Sequence, residues 1–228
     1  MYENYNETKA SAYNSKIKIY RWLVRKVPFA LLKLIFPVVS HLNFKNKTVL
    51  DIGSGTGLYS AIMRLNGNKV IEIEPYLDNC YGNTEVIKST FEEYEANRSY
   101  DVIICLDVLE HIDQKHIDEF FKKIKVSLVE NGIFIAKVPN ASALAGLESH
   151  FGDLTHVRGL NTISLTTIIV NNGLKVDYIK GVNPNLSILR MLYRIISLPF
   201  STMMKWYLLS YGVNGEIHSP SIICKARR

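Results

Sequence analysis

The run Val49-Leu50-Asp51-Ile52-Gly53-Ser54-Gly55-Thr56-Gly57 carries an apolar strand straight into a glycine-rich turn and a helix start. Glycines let the backbone approach a bound molecule closely, and a helix start offers free N–H donors. Alone, such a turn is also an ordinary strand–helix connection. Glu74 follows 17 residues beyond Gly57, at the end of the next apolar run, Val70-Ile71-Glu72-Ile73. A carboxylate there can accept hydrogen bonds from both hydroxyls of a ribose. Two histidines come later: His111, after Leu106-Asp107-Val108-Leu109-Glu110, and His156, within Gly152-Asp153-Leu154-Thr155-His156-Val157-Arg158. An imidazole accepts a proton near neutral pH and so suits removal of a hydroxyl proton. Arg158 is a candidate partner for a phosphate. Asp107, Glu110, His111 and His156 also raise the question of a divalent ion, since oxygen and imidazole ligands suit magnesium or manganese. Spacing alone does not make the four converge, and no metal is assigned.

Positioning these groups requires short strands that alternate with helices. Strands are expected at Thr48–Ile52, Lys69–Ile73, Glu85–Lys88, Asp101–Leu106, Ile133–Val138, Leu174–Ile179 and Pro220–Lys225. Helices are expected at Gly57–Leu65, Lys115–Val129 and Ser164–Asn171, the second from apolar residues at helical spacing (Ile117, Phe120, Phe121, Ile124 and Leu128). Strands apolar throughout, separated by helices, predict a doubly wound, mostly parallel α/β sheet covered on both faces. Ahead of it, residues 1–47 hold a basic, amphipathic stretch over 15–27, expected to form a helical cap. Residues 48–228 form the main domain, with a hydrophobic helical insertion at 183–219 that serves as a lid, an interface or a membrane contact. Neither apolar segment reaches the about 20 uninterrupted residues of a bilayer span. No signal-peptide pattern is expected at the N-terminus.

Together, VLDIGSGTG, IEP, YDVIICLDVLEHI and GIFIAKVPN resemble the class I methyltransferases that use S-adenosylmethionine, over roughly residues 48–182 with the last strand near the C-terminus. The resemblance implies a seven-stranded sheet whose last strand is antiparallel. It places Asp51, Gly53, Ser54, Gly55 and Gly57 around the methionine part of the cofactor and Glu74 on the ribose. Pro75 and Tyr76 would border the adenine; Ser89, Thr90 or Phe91 would contact its edge. Leu106 and Asp107 would close the pocket near the methyl group. The main competitor for the glycine turn is a dinucleotide dehydrogenase, against which LEH after the fourth strand and VPN after the fifth both speak. Asp107, His111 and His156 are the catalytic candidates; for His111 the alternative is a loop-orienting role. GDLTH is similar to a segment of sugar and polysaccharide methyltransferases from bacterial surface-glycan pathways, which makes Asp153, His156 and Arg158 candidate acceptor contacts.

Composition narrows the classes. A chain of 228 residues, 47% hydrophobic and 21% charged, is a folded globular protein. Cys80, Cys105 and Cys224 lack CxxC spacing, which excludes a disulfide framework or structural zinc site and points to a reducing cytoplasm. The formal charge is +7 over 1–48, −7 over 49–177 and +6 over 178–228. The basic ends point to a phosphate-bearing acceptor or an anionic surface at the inner face of a membrane. The expected reaction is O-methylation of a sugar or glycan-precursor hydroxyl. Alternatives are a lipid, quinone or small-metabolite acceptor, or a non-catalytic membrane-binding scaffold that keeps the fold. Nucleic acid is not an expected partner, because LDVL stands where adenine methyltransferases carry an NPPY-type motif. Oligomeric state stays open.

Overall fold

The structure is a computed structural model that describes residues 26–28, 31–32, 36–76, 86–95, 98–182, 188–210 and 219–228, leaving undescribed the side chains of 144, 145, 188–194, 197, 201 and 208. In chain order the elements are β1 (Thr48–Ile52), α1 (Leu58–Leu65), β2 (Lys69–Ile73), β3 (Val86–Ile87), β4 (Tyr100–Leu106), α2 (Ile117–Ser127), β5 (Leu128–Pro139), α3 (Leu144–Phe151), α4 (Thr162–Asn171), β6 (Lys175–Val182), α5 (Ile188–Ser210) and β7 (Ser221–Arg227). One seven-stranded sheet has the order β3-β2-β1-β4-β5-β7-β6. β1 pairs parallel with β2 and β4, and β7 runs antiparallel between β5 and β6. The strand order reverses at β1, so a crevice opens where β1 and β4 end.

The core follows from strand alternation. Leu50, Ile52, Ile103 and Cys105 point to one face, where Phe120, Phe121 and Ile124 of α2 and Leu165 and Ile169 of α4 cover them. Val49, Val102, Ile104 and Leu106 point to the other, onto Met63 of α1 with Val38 and Leu42. Leu32 and Val39 pack on Leu58 and Ile62 of α1. Burial on both faces explains why these strands are apolar throughout.

Two expectations change. The helix expected to reach Val129 ends at Ser127, because Leu128, fully buried, pairs with Tyr100 as the start of β5. α3 was not foreseen: it is short, and Gly146 within it sits so close to Asn140 that an added Cβ would meet the Asn140 carbonyl oxygen at 1.9 Å. Among the described residues the insertion holds one helix, α5, with Pro199 inside it, in keeping with the helical insertion expected there. The basic helix expected over 15–27 lies almost wholly outside the described residues.

Candidate active site

The glycine turn takes its shape from three left-handed residues, Gly53 (φ 68°), Gly55 (φ 56°) and Gly57 (φ 70°). Only glycine adopts that region without strain. Gly53 is also sterically pinned, since a Cβ there would lie 2.5 Å from Cγ2 of Val108, whereas the space beside Gly55 is open. The N–H groups of Gly53 and Ser54 donate to the carbonyl of Ile73 at 2.8 and 3.2 Å, which docks the turn on the end of β2. Ser54 Oγ is buried without a hydrogen-bond partner among the described residues.

Glu74 follows β2 and is 7% exposed. One carboxylate oxygen accepts from the Gly55 N–H at 2.9 Å, the other from the Tyr76 N–H at 3.0 Å. Each oxygen keeps a lone pair for a ribose hydroxyl. Glu74 thus ties the turn to β2 and faces the same crevice. Asp51 does not: it alternates with Leu50 and Ile52 toward α1, where Ser60 Oγ donates to it at 2.6 Å. Burial pushes its carboxyl up to about 7, with the neighbouring Glu72 adding to the rise. Glu72 pairs with Arg64 at 2.6 Å. Asp51 therefore underpins the turn from below.

At the expected adenine edge, Tyr76 beyond Pro75 is 83% exposed. Ser89 Oγ donates to the Thr90 carbonyl, and Thr90 Oγ1 accepts from the Glu93 N–H. The Phe91 ring is core, edge-on to Phe120 at 4.9 Å, so at this edge it has only backbone to offer.

β4 ends at Leu106, and Asp107 turns the chain with φ 57°. Lys137 of β5 holds both Asp107 oxygens, one at 2.6 Å, which takes this carboxylate away from the histidines as a proton acceptor. The chain then forms a short 3₁₀ turn, Leu109–His111, that buries Glu110. The Glu110 carbonyl accepts from the N–H of Val157 at 2.9 Å, so the loop after α3 docks here. That contact brings the His111 and His156 rings to 4.6 Å, edge to face. His156 Nδ1 lies 3.0 Å from the His150 carbonyl. A carbonyl only accepts, so Nδ1 is the donor, and in the neutral ring Nε2 is then the nitrogen with the lone pair. His111 Nδ1 likewise donates to the Thr155 carbonyl at 3.1 Å.

His156 Nε2 stands 3.8 Å from a Glu110 oxygen and 3.9 Å from Asp153 Oδ2. Among the described residues, neither Glu110 carboxyl oxygen has a hydrogen-bond partner, and both are buried. Burial first, then the Asp107 charge, raises the Glu110 carboxyl to about 8. Glu110, His111 and His156 each offer one ligand atom, all within 4.8 Å of one another, a donor set that could hold a divalent cation. Of the four residues in the metal question, Asp107 is thus the one set apart. Asp153 Oδ1 also accepts a hydrogen bond from the Thr155 hydroxyl at 2.6 Å. Arg158 Nε and Nη1 are buried without hydrogen-bond partners among the described residues, and burial lowers its pKa.

Four contributors escaped the sequence reading: Ser60, Glu72, Lys137 and His150. Lys137, a single charge inside the apolar run GIFIAKVPN, was the visible one. His150 acts through its backbone carbonyl, which no side-chain pattern announces.

The turn with open space beside Gly55, the buried unpartnered Ser54 Oγ and the strand-end Glu74 fit S-adenosylmethionine. A methyltransferase-domain family model matches residues 21–178. Among solved structures, a SAM-dependent methyltransferase from Archaeoglobus fulgidus superposes with TM-score 0.64 at 18% identity, covering 92% of this chain and 98% of that one. Burkholderia thailandensis 1,6-didemethyltoxoflavin-N1-methyltransferase, crystallised with S-adenosylhomocysteine, superposes with TM-score 0.59 at 13% identity, covering 98% and 86%. Among curated proteins, the ubiquinone biosynthesis O-methyltransferase of Rickettsia canadensis is 32% identical over 124 residues, 50% of this chain and 52% of that protein. Its Rickettsia bellii counterpart is 31% identical over 131 residues, 53% and 54%. The chain spans about half the length of these curated relatives. It belongs to the methyltransferase-domain family, and its fold is that of the SAM-dependent methyltransferases on which it superposes.

Proposed function

We propose that the protein methylates a phenolic hydroxyl on an apolar, quinone-type acceptor, with His156 as the general base. The observation that carries this reading is the contact of His156 Nδ1 with the His150 carbonyl, which commits Nδ1–H there and leaves Nε2 to take a proton beside Asp153 and Glu110. S-adenosylmethionine supplies an electrophilic methyl carbon. Residues of the chain hold the ribose through Glu74 and deprotonate the acceptor through His156. The resulting imidazolium faces the carboxyls of Asp153 and Glu110. A phenol ionises at about 10, within about four units of an imidazole, and is a far better match for this base than a sugar alcohol. The curated relatives named for ubiquinone biosynthesis support the same acceptor class in place of the expected sugar.

A second reading keeps a phosphate-bearing sugar or glycan precursor as acceptor. Arg158 favours it, with buried Nε and Nη1 donors that suit an anion. The experiment is to supply methyl-labelled S-adenosylmethionine to the protein in a host-cell extract and separate aqueous small molecules, organic-extractable lipids and macromolecules. Label in the organic fraction, lost in His156→Ala, is the expected result. Label in water-soluble phosphorylated sugars or glycan would overturn the quinone reading.

A further inference from the structure

The proposed reaction does not use α5, a helix of 23 residues inserted between β6 and β7. Ile196, Phe200, Met203 and Tyr207 recur at i, i+4, i+7 and i+11, which puts them on one helical face, and Ile195 and Trp206 border it. All six are exposed, Ile196 at 78% and Trp206 at 71%. Arg190, Arg194 and Lys205 recur at i, i+4 and i+15, which places their positions on the opposite side by the same period. No Asp or Glu occurs between Asp177 and Glu216.

We propose that α5 docks the protein onto an anionic phospholipid surface, lying in the interface with its apolar face among the acyl chains. A packed soluble helix buries its apolar stripe; this one leaves it open to water. An aromatic and aliphatic face, set against a side whose charged positions are all cationic although exposed Leu198 and Leu209 lie among them, resembles the pattern of a helix lying in the interface plane. Charge selects the occupant: basic residues without a single acid attract anionic headgroups. No helix among the described residues is long and apolar enough to cross a membrane, which agrees with a helix that lies on the surface. The inference concerns a different part of the molecule from the acceptor reading and stands whether or not that reading holds.

The test uses the full chain with Trp22→Phe, so that Trp206 is the one tryptophan left to report. Vesicles of phosphatidylcholine alone are compared with vesicles containing phosphatidylglycerol. Expected with the anionic vesicles is a blue shift of Trp206 emission, its quenching by brominated acyl chains, and co-flotation of the protein. Phe200→Glu combined with Met203→Glu should abolish all three while S-adenosylmethionine binding, the control for folding, is unchanged. Lys205→Ala should weaken partitioning about fivefold, the equivalent of about 1 kcal/mol per basic residue. His156→Ala should leave flotation untouched, which separates this test from that of the acceptor. No partitioning, equal partitioning to neutral vesicles, or flotation that survives the double variant would each overturn the proposal. So would a dimer that the double variant dissolves without any vesicle binding.

Discussion

His156 and Glu74 divide the proposed labour between proton and cofactor, and each can be tested by a single substitution. His156→Ala should lower kcat by about 10²–10⁴-fold, the usual contribution of a positioned general base, with S-adenosylmethionine affinity unchanged. Stopped-flow turnover alongside calorimetric cofactor binding checks the split. A fall in cofactor affinity would instead mark His156 as a structural prop. Glu74→Ala should weaken cofactor binding by about 1.5–3 kcal/mol for each charge-assisted hydrogen bond lost, and it also unties Gly55. Glu110 decides the metal question. If activity survives both a strong chelator and Glu110→Ala, the Glu110–His111–His156 donor set does not work through a divalent ion.

At the scale of elements, the site depends on how tightly connections pack. The turn after β1 and the segment after β4 meet where Gly53 approaches Val108, so Gly53→Ala combines a steric clash with left-handed strain. A loss of about 1–3 kcal/mol in unfolding free energy is expected, read by urea denaturation, with weaker cofactor binding because the turn must shift. Asn140 plays the same part at the end of β5. Its Nδ2 donates to the Ser219 carbonyl, its Oδ1 accepts from the Ser142 N–H, and Ala141 donates to the Leu160 carbonyl. The VPN motif thus ties together both arms of the loop that carries His150 and His156.

Across the whole molecule, two buried carboxyls set a pH dependence. Burial raises Asp51 to about 7 and Glu110 to about 8. A carboxyl whose folded pKa is raised adds stability that is complete below its unfolded value and is lost as pH rises through the folded one. Each group therefore gives a decline of at most about 1.4 kcal/mol per pH unit, from the ordinary carboxylate range up to its folded pKa. Asp51→Asn should flatten the Asp51 share of that decline, as chemical denaturation across pH would show. An unchanged slope would mean that Asp51 is ionised beneath the turn.

The sequence by itself determined the sheet and the position of Glu74 at the end of β2, beside the glycine turn. The β1 and β2 bounds were legible to the residue, because β-branched apolar runs bounded by Gly and Asn leave little choice of register. Glu74 was legible because strand ends in such a sheet face the ligand crevice. Tertiary structure alone decided which polar residues meet. Asp51 turned to α1 because strand alternation sends it there, and Asp107 went to Lys137 because β4 and β5 lie side by side. The convergence of Glu110, His111 and His156 rests on hydrogen bonds to backbone carbonyls between segments more than 40 residues apart. Backbone groups are the same at every residue, so those bonds leave no mark in the sequence.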